Sequence, residues 1–134
     1  MADGIEPRDG RPAATIAKAV GRACALWGLG DAEASRLFGV PEALWPRMKA
    51  GAFHGRLEKD QVLRASLILG IFTALRRTFN GDLVYGWPTA PNADPLFKGR
   101  SPVAVMIEGG IPAMLQTRRY LDGLGTLPDQ EASP

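Results

Sequence analysis

An all-α fold follows from three features of the sequence. Apolar residues recur at three- and four-residue steps, helix start and stop signals separate the periodic segments, and no strand-like alternation occurs. The layout expected is a helix-turn-helix-like N-terminal half joined by a long central helix to a small helical domain. With 134 residues, 46% apolar and 22% charged, the chain can bury a core as one ordinary domain or as two small subdomains sharing it.

Residues 1–10 mix charge with Gly and Pro and lack periodicity, so a mobile arm is expected there. Pro12 opens a first helix in which Ile16, Ala19, Val20, Ala23 and Trp27 form one inner face, with Lys18 and Arg22 outside it and Gly28 and Gly30 ending it. Asp31 is the expected N-cap of a second helix, with Ala34, Leu37 and Phe38 inward. Gly39-Val40-Pro41 then turns into a third helix containing Leu44, Trp45 and Met48, a helix-turn-helix pattern. Pro46 disturbs it. A proline inside a helix removes a donor and clashes with the preceding turn, at about 3 kcal/mol, so this helix is bent, shortened or restarted there.

Residues 47–64 carry a local excess of three positive charges. Arg47, Lys49, His54 and Arg56 are the candidate DNA contacts, directed at phosphates because residues 41–45 offer almost no polar groups for base edges. The competing reading is a solvated helix face on a retained scaffold.

Leu57 to Phe79 is the longest helix, with Ile68, Ile71, Phe72, Leu75 and Phe79 on one face and Leu63, Leu67, Gly70 and Ala74 on another. Being apolar on two faces, it is expected to be surrounded by other helices. Asn80-Gly81 breaks it, a short helical turn spans Asp82 to Gly86, and Trp87-Pro88 closes that element. Leu96 and Phe97 anchor the proline-rich loop from Pro88 to Arg100. Ser101-Pro102 starts a further helix, through a capping oxygen and a preset φ, and Gly109-Gly110 ends it. A last helix, Ile111 to Leu121, is expected to stop at Gly123 and Gly125, leaving a loose, Gly-, Pro- and acid-containing end.

The chemistry-bearing inventory is thin. A phosphate loop, a dinucleotide fingerprint, a zinc-protease motif and a nucleophile elbow are all missing, so no catalysis and no cofactor are expected. His54 is the only histidine and lies in a Gly-rich loop without companion ligands, so no metal site is expected. Cys24, the only cysteine, sits in an apolar run and reads as a buried thiol. The longest apolar run, Ala65 to Leu75, is well short of the roughly twenty residues of a membrane span, and no signal segment opens the chain; a cytoplasmic protein is expected.

Trp87, Asn92, Phe97, Gly99, Ser101-Pro102, Met106, Gly109-Gly110, Leu115 and Tyr120-Leu121 stand in the order W…PN…F-x-G-x-SP…M…GG. In that order the chain resembles the toxin-binding domain of Xre/MbcA/ParS-type antitoxins, the ParS branch most, over about residues 31–123. The resemblance implies an antitoxin of a type II system that binds a RES-domain toxin, which consumes NAD or transfers ADP-ribose from it, and occludes its NAD site. It further implies a homodimer, to which apolar surface on the central helix also points, and autoregulation through operator DNA. Its domain plan is a mobile arm at 1–10, an Xre-like half at 11–79, a toxin-binding domain at 80–123 and a flexible tail at 124–134. Toxin contacts are expected from Trp87, Asn92, Phe97, Lys98, Arg100, Ser101, Met106, Arg118, Arg119 and Tyr120. Core packing competes with contact for the apolar members, whereas adjacent Arg118 and Arg119 favour a surface. The alternative function is a helix-turn-helix transcriptional regulator without a toxin partner.

Overall fold

The computed structural model describes the backbone of residues 11–131 and the side chains of residues 12–124; the arm expected at 1–10 lies outside the described residues. The fold is all-α, with six α-helices, one 3-10 turn and no strand among the described residues. Packing divides the chain into two compact units, Met1–Ser66 and Leu67–Pro134, which part inside the fourth helix. The functional division expected from sequence lies at that helix's end, at 79/80, and compactness does not bear on which segment carries which function.

In the first unit, α1 (Arg11–Leu26) packs on α2 (Asp31–Phe38) and on α3 (Trp45–Lys49). Its buried face holds Ala13, Ala17, Val20, Ala23, Cys24 and Trp27, so Val20, Ala23 and Trp27 lie inward as expected while Ile16 and Ala19 are only half-buried. The reason is Gly21. A Cβ there would fall 2.7 Å from the Cβ and 3.1 Å from the Cα of Lys49, so α3 approaches α1 along the line of its smallest residues. Burial on this face pushes the Cys24 thiol pKa up to about 12.

Helix α2 starts after Gly30, and Asp31 is its first residue rather than its N-cap. The Asp31 carboxylate instead accepts a hydrogen bond from Lys49 Nζ at 2.8 Å, while still lying at the positive end of the α2 dipole. Gly39, at φ 79°, closes α2 in the left-handed conformation, and its N–H and that of Val40 both donate to the Ser35 carbonyl. Turns at Pro41–Leu44 and Glu42–Trp45 delay α3, which puts Pro46 in its first turn, where a missing N–H is harmless. Of the outcomes open to the proline, the structure takes the shortened helix. Trp45 and Met48 are both buried, and Trp45 meets Phe38 edge to face at 5.9 Å.

Helix α4 (Lys59–Thr78) contributes to both units. In the first, Arg64 pairs with Asp60 and reaches the Leu37 carbonyl, while Gln61 reaches that of Gly39, so the open end of α2 is satisfied from α4. Val62 and Leu63 nevertheless remain 45% and 46% exposed, so this end of α4 is not enclosed on both apolar faces as its pattern predicts. In the second unit Leu67, Ile68, Ile71, Ala74 and Leu75 are buried.

The second unit continues through α5 (Leu83–Gly86), the 3-10 turn Trp87–Thr89 and α6 (Pro102–Glu131). Gly110 breaks α6 at φ 69°, ψ −152°, a conformation open only to glycine, and the helix resumes at once. The stop expected at Gly123 and Gly125 does not occur, since α6 runs on to Glu131. Glycine permits a left-handed turn without imposing one, and a helical glycine costs only about 1 kcal/mol. Much of the segment expected as a loose tail is therefore helical backbone, while its side chains from 125 onward and residues 132–134 lie outside the described residues.

Gly21→Ala should destabilise the first unit by about 1 to 3 kcal/mol, because its new methyl meets backbone-anchored atoms of Lys49. Gly86→Ala, where a Cβ meets nothing within 4 Å, serves as the near-neutral control. Denaturant unfolding followed by tryptophan fluorescence reads both, and equal midpoints for the two variants would contradict the α1–α3 packing.

Candidate binding surfaces

The four candidate DNA contacts lie on α3 and the segment after it. Arg47, Lys49, His54 and Arg56 are all exposed, and Lys49 is tied to Asp31. With only five residues, α3 presents a short rod whose apolar side, Trp45 and Met48, is committed to the core. Two basic residues that the sequence reading left outside the candidate set join this surface. Lys18 packs beside Gly51, with its Cδ 3.1 Å from where a Cβ would stand, and Arg22 follows the glycine that α3 rests upon. Their i, i+4 spacing on the outer side of α1 was visible in sequence, but their nearness to α3 depends on the Gly21 contact.

In the second unit the residues of the W…PN…F-x-G-x-SP pattern build a self-closed loop. The Asn92 side-chain oxygen accepts from the Asp94 N–H at 2.9 Å, and an Asp94 carboxylate oxygen accepts from the Leu96 N–H at 2.9 Å, two successive Asx turns. The Asp94 carbonyl then takes the N–H groups of Phe97 and Lys98. Lys98 at φ 52° and Gly99 at φ 84° reverse the chain, so that the Asn92 backbone pairs with Gly99 and Arg100. Only Lys98 among non-glycine described residues has positive φ. Ser101 ends the loop by accepting the Ala104 N–H at 3.1 Å, the cap expected for α6.

Phe97, fully buried, plugs this loop into an aromatic triangle. It meets Trp87 at 5.6 Å and Tyr120 at 5.5 Å, both edge to face, while Trp87 and Tyr120 stack at 6.1 Å. Phe79 extends the group to α4 through Trp87 at 6.2 Å. The Tyr120 hydroxyl donates to the Asp94 carboxylate, and partial burial together with that negative charge pushes the Tyr120 pKa up. Three residues far apart in the chain are thus brought together. Trp87, Phe97 and Met106 are interior, Ser101 is a helix cap, and Asn92 gives its side-chain oxygen and its backbone groups to the loop.

The remaining candidates face outward. Lys98 and Arg119 are exposed, and Arg100 pairs with Glu108 on α6 at the surface. Arg118 is more confined: a Cβ at Gly70 would collide with its guanidinium, and its Nε lies 3.2 Å from Asp122, which also takes Arg77 at 3.5 Å. Adjacent arginines thus have different settings, one laid across α4 and one in solvent.

Among the described residues no group of three or more His, Cys, Asp or Glu side chains could hold a metal ion, and no helix is long and apolar enough to cross a membrane. Residues 10–70 match the family model of the antitoxin Xre-like helix-turn-helix domain, a segment that covers α1 to α3 and runs into α4. No curated protein and no solved structure matches the chain.

Two measurements test the loop. Lys98→Gly should stabilise the protein by about 1 kcal/mol by relieving a left-handed lysine. Tyr120→Phe should cost about 1 kcal/mol at neutral pH by removing the hydroxyl that Asp94 accepts. Because the folded pKa of Tyr120 is raised above 10.0, its contribution is whole below that pH and is lost as pH rises through the folded value. The wild type should lose stability more steeply than Tyr120→Phe above about pH 10, and parallel alkaline profiles would contradict the Asp94–Tyr120 pairing.

Proposed function

We propose, taking as premise the match of residues 10–70 to an Xre-like antitoxin helix-turn-helix domain, that this protein is the antitoxin of a type II toxin-antitoxin pair. Its partner in this reading is a RES-domain toxin that consumes NAD or transfers ADP-ribose. The family match is the observation that carries the antitoxin assignment, and the resemblance over residues 87–123 supplies the toxin class.

The segment 80–123 is the toxin-binding domain in this proposal. The aromatic triangle and the self-closed loop hold Lys98 and Arg100 on one short segment, and α6 carries Arg118 and Arg119, cations that can pair with acidic groups on a toxin's rim. Trp87, Phe97, Ser101, Met106 and Tyr120 act behind that surface as the scaffold that sets it, and Asn92 closes the loop from which it projects. The chain beyond Gly123, with Asp129 and Glu131, supplies negative charge to occupy a pocket built for a pyrophosphate. The protein works as a homodimer and binds its operator.

A transcriptional regulator without a toxin partner is the second reading, favoured by the basic residues gathered on α1 and α3. Coexpression with the neighbouring reading frame separates the two. A RES-domain product that copurifies and loses NAD consumption in the complex supports the antitoxin, whereas a protein that binds operator DNA and leaves that enzyme active supports the regulator.

Two variants locate the docking surface. Arg118→Glu with Arg119→Glu should weaken the complex at least tenfold, and truncation after Gly123 should retain binding while losing inhibition. Unchanged affinity of the double variant in a pull-down titration would remove α6 from the interface.

A further inference from the structure

Basic residues of two elements come together where α3 lies on α1. Lys18 and Arg22, one turn apart on α1, flank the place where Gly21 meets Lys49 of α3, and Lys18 packs beside Gly51 just after that helix. Among the described residues Lys18 and Arg22 form no ion pair, whereas Lys49 is held by the Asp31 carboxylate, 2.8 Å from its Nζ. Both partners are less than half exposed, at 45% and 43% of their side-chain surfaces.

We propose that this α1–α3 surface grips the phosphate backbone of duplex nucleic acid through Lys18 and Arg22, and that Asp31 limits the grip by holding Lys49 in an internal ion pair. The inference rests on the helix-turn-helix reading of residues 10–70 and adds to it the contacts on α1 and the restraining acid. The short α3 turns its apolar residues inward and leaves cations, not base-reading amides, outside. Cations alone recognise the feature every duplex shares, a regular line of phosphates. A half-exposed ion pair is worth little to folding, so Asp31 can be altered without loss of the fold. While it stands, Lys49 must exchange one anion for another on binding, and its contribution to affinity is correspondingly reduced.

Fluorescence anisotropy with a labelled 20-base-pair duplex and the full-length protein, titrated between about 50 and 200 mM salt, tests this. Asp31→Asn should tighten binding about three- to tenfold at the lower salt and steepen the salt slope by about 0.9, the increment of one phosphate contact. Lys18→Gln and Arg22→Gln should each weaken binding and flatten the slope by a similar amount. In a Lys49→Gln background Asp31→Asn should have little effect, which separates release of Lys49 from a general gain of positive charge. If the wild type binds the duplex and Asp31→Asn changes neither affinity nor slope, the restraint is overturned while the helix-turn-helix reading stands. If the wild type binds no duplex at micromolar concentration and low salt, both fall together. If polyglutamate binds as tightly as the duplex and Asp31→Asn moves both alike, the surface is a general acceptor of polyanions, including acidic proteins, and the nucleic-acid assignment is overturned.

Discussion

A missing Cβ at Gly21 is the constraint on which the first unit depends. Side-chain bulk there would push α3 away from α1, and with it Trp45 and Met48, which are buried in the core, and Lys49, which reaches Asp31. The same device recurs under other cations. Gly51 leaves room for the Lys18 stem, and Gly70 for the Arg118 guanidinium. Over Gly51 the Lys18 methylenes cover the glycine while the charge can stay in water, whereas over Gly70 the Arg118 guanidinium itself fills the space. Glycines placed beneath cations therefore compact each unit without neutralising its surface.

The second unit solves a different problem, which is to hold a loop of irregular backbone in one shape. An irregular loop lacks the repeating hydrogen bonds of a helix, so its shape has to be fixed by particular partners. Here Asn92 and Asp94 supply partners locally, and Phe97 supplies the anchor. Aromatic edge-to-face contacts contribute about 0.5 to 1.5 kcal/mol beyond burial, so the Trp87–Phe97–Tyr120 triangle is enough to fix a segment of this length. The left-handed Lys98 is the strain that remains. A glycine or asparagine would relieve it, and the lysine there is consistent with a charge whose value lies outside folding.

Residues that carry a recognisable pattern and residues that touch a partner need not coincide. Asn92, Phe97, Ser101 and Met106 make the pattern distinctive, and each has an internal task in loop closure, core packing or helix capping. The exposed side chains, Lys98, Arg119 and the Arg100 that pairs with Glu108, stand between or beside them. Arg118 occupies an intermediate place, since its guanidinium already leans on Asp122 and Gly70.

Local rules were enough to read the all-α fold, the glycine turn after α2, the Ser101 cap and a break at Gly109-Gly110, because each is decided by a few adjacent residues and their allowed dihedrals. They were also enough to see that Pro46 would shorten or bend α3, though not which, since the choice lay with turns at Pro41 and Glu42. Where a residue is permissive rather than decisive the sequence misled: Gly123 can stop a helix, and α6 passes through it. Tertiary structure alone decided that Asp31 would hold Lys49 instead of capping α2, that Gly21 would shift the inner face of α1, and that Asp94 would meet Tyr120. These contacts join positions separated by many residues, and no periodicity encodes them. They exist because close packing brings particular backbones within reach, and the polar groups there then pair with whatever the packing has placed beside them.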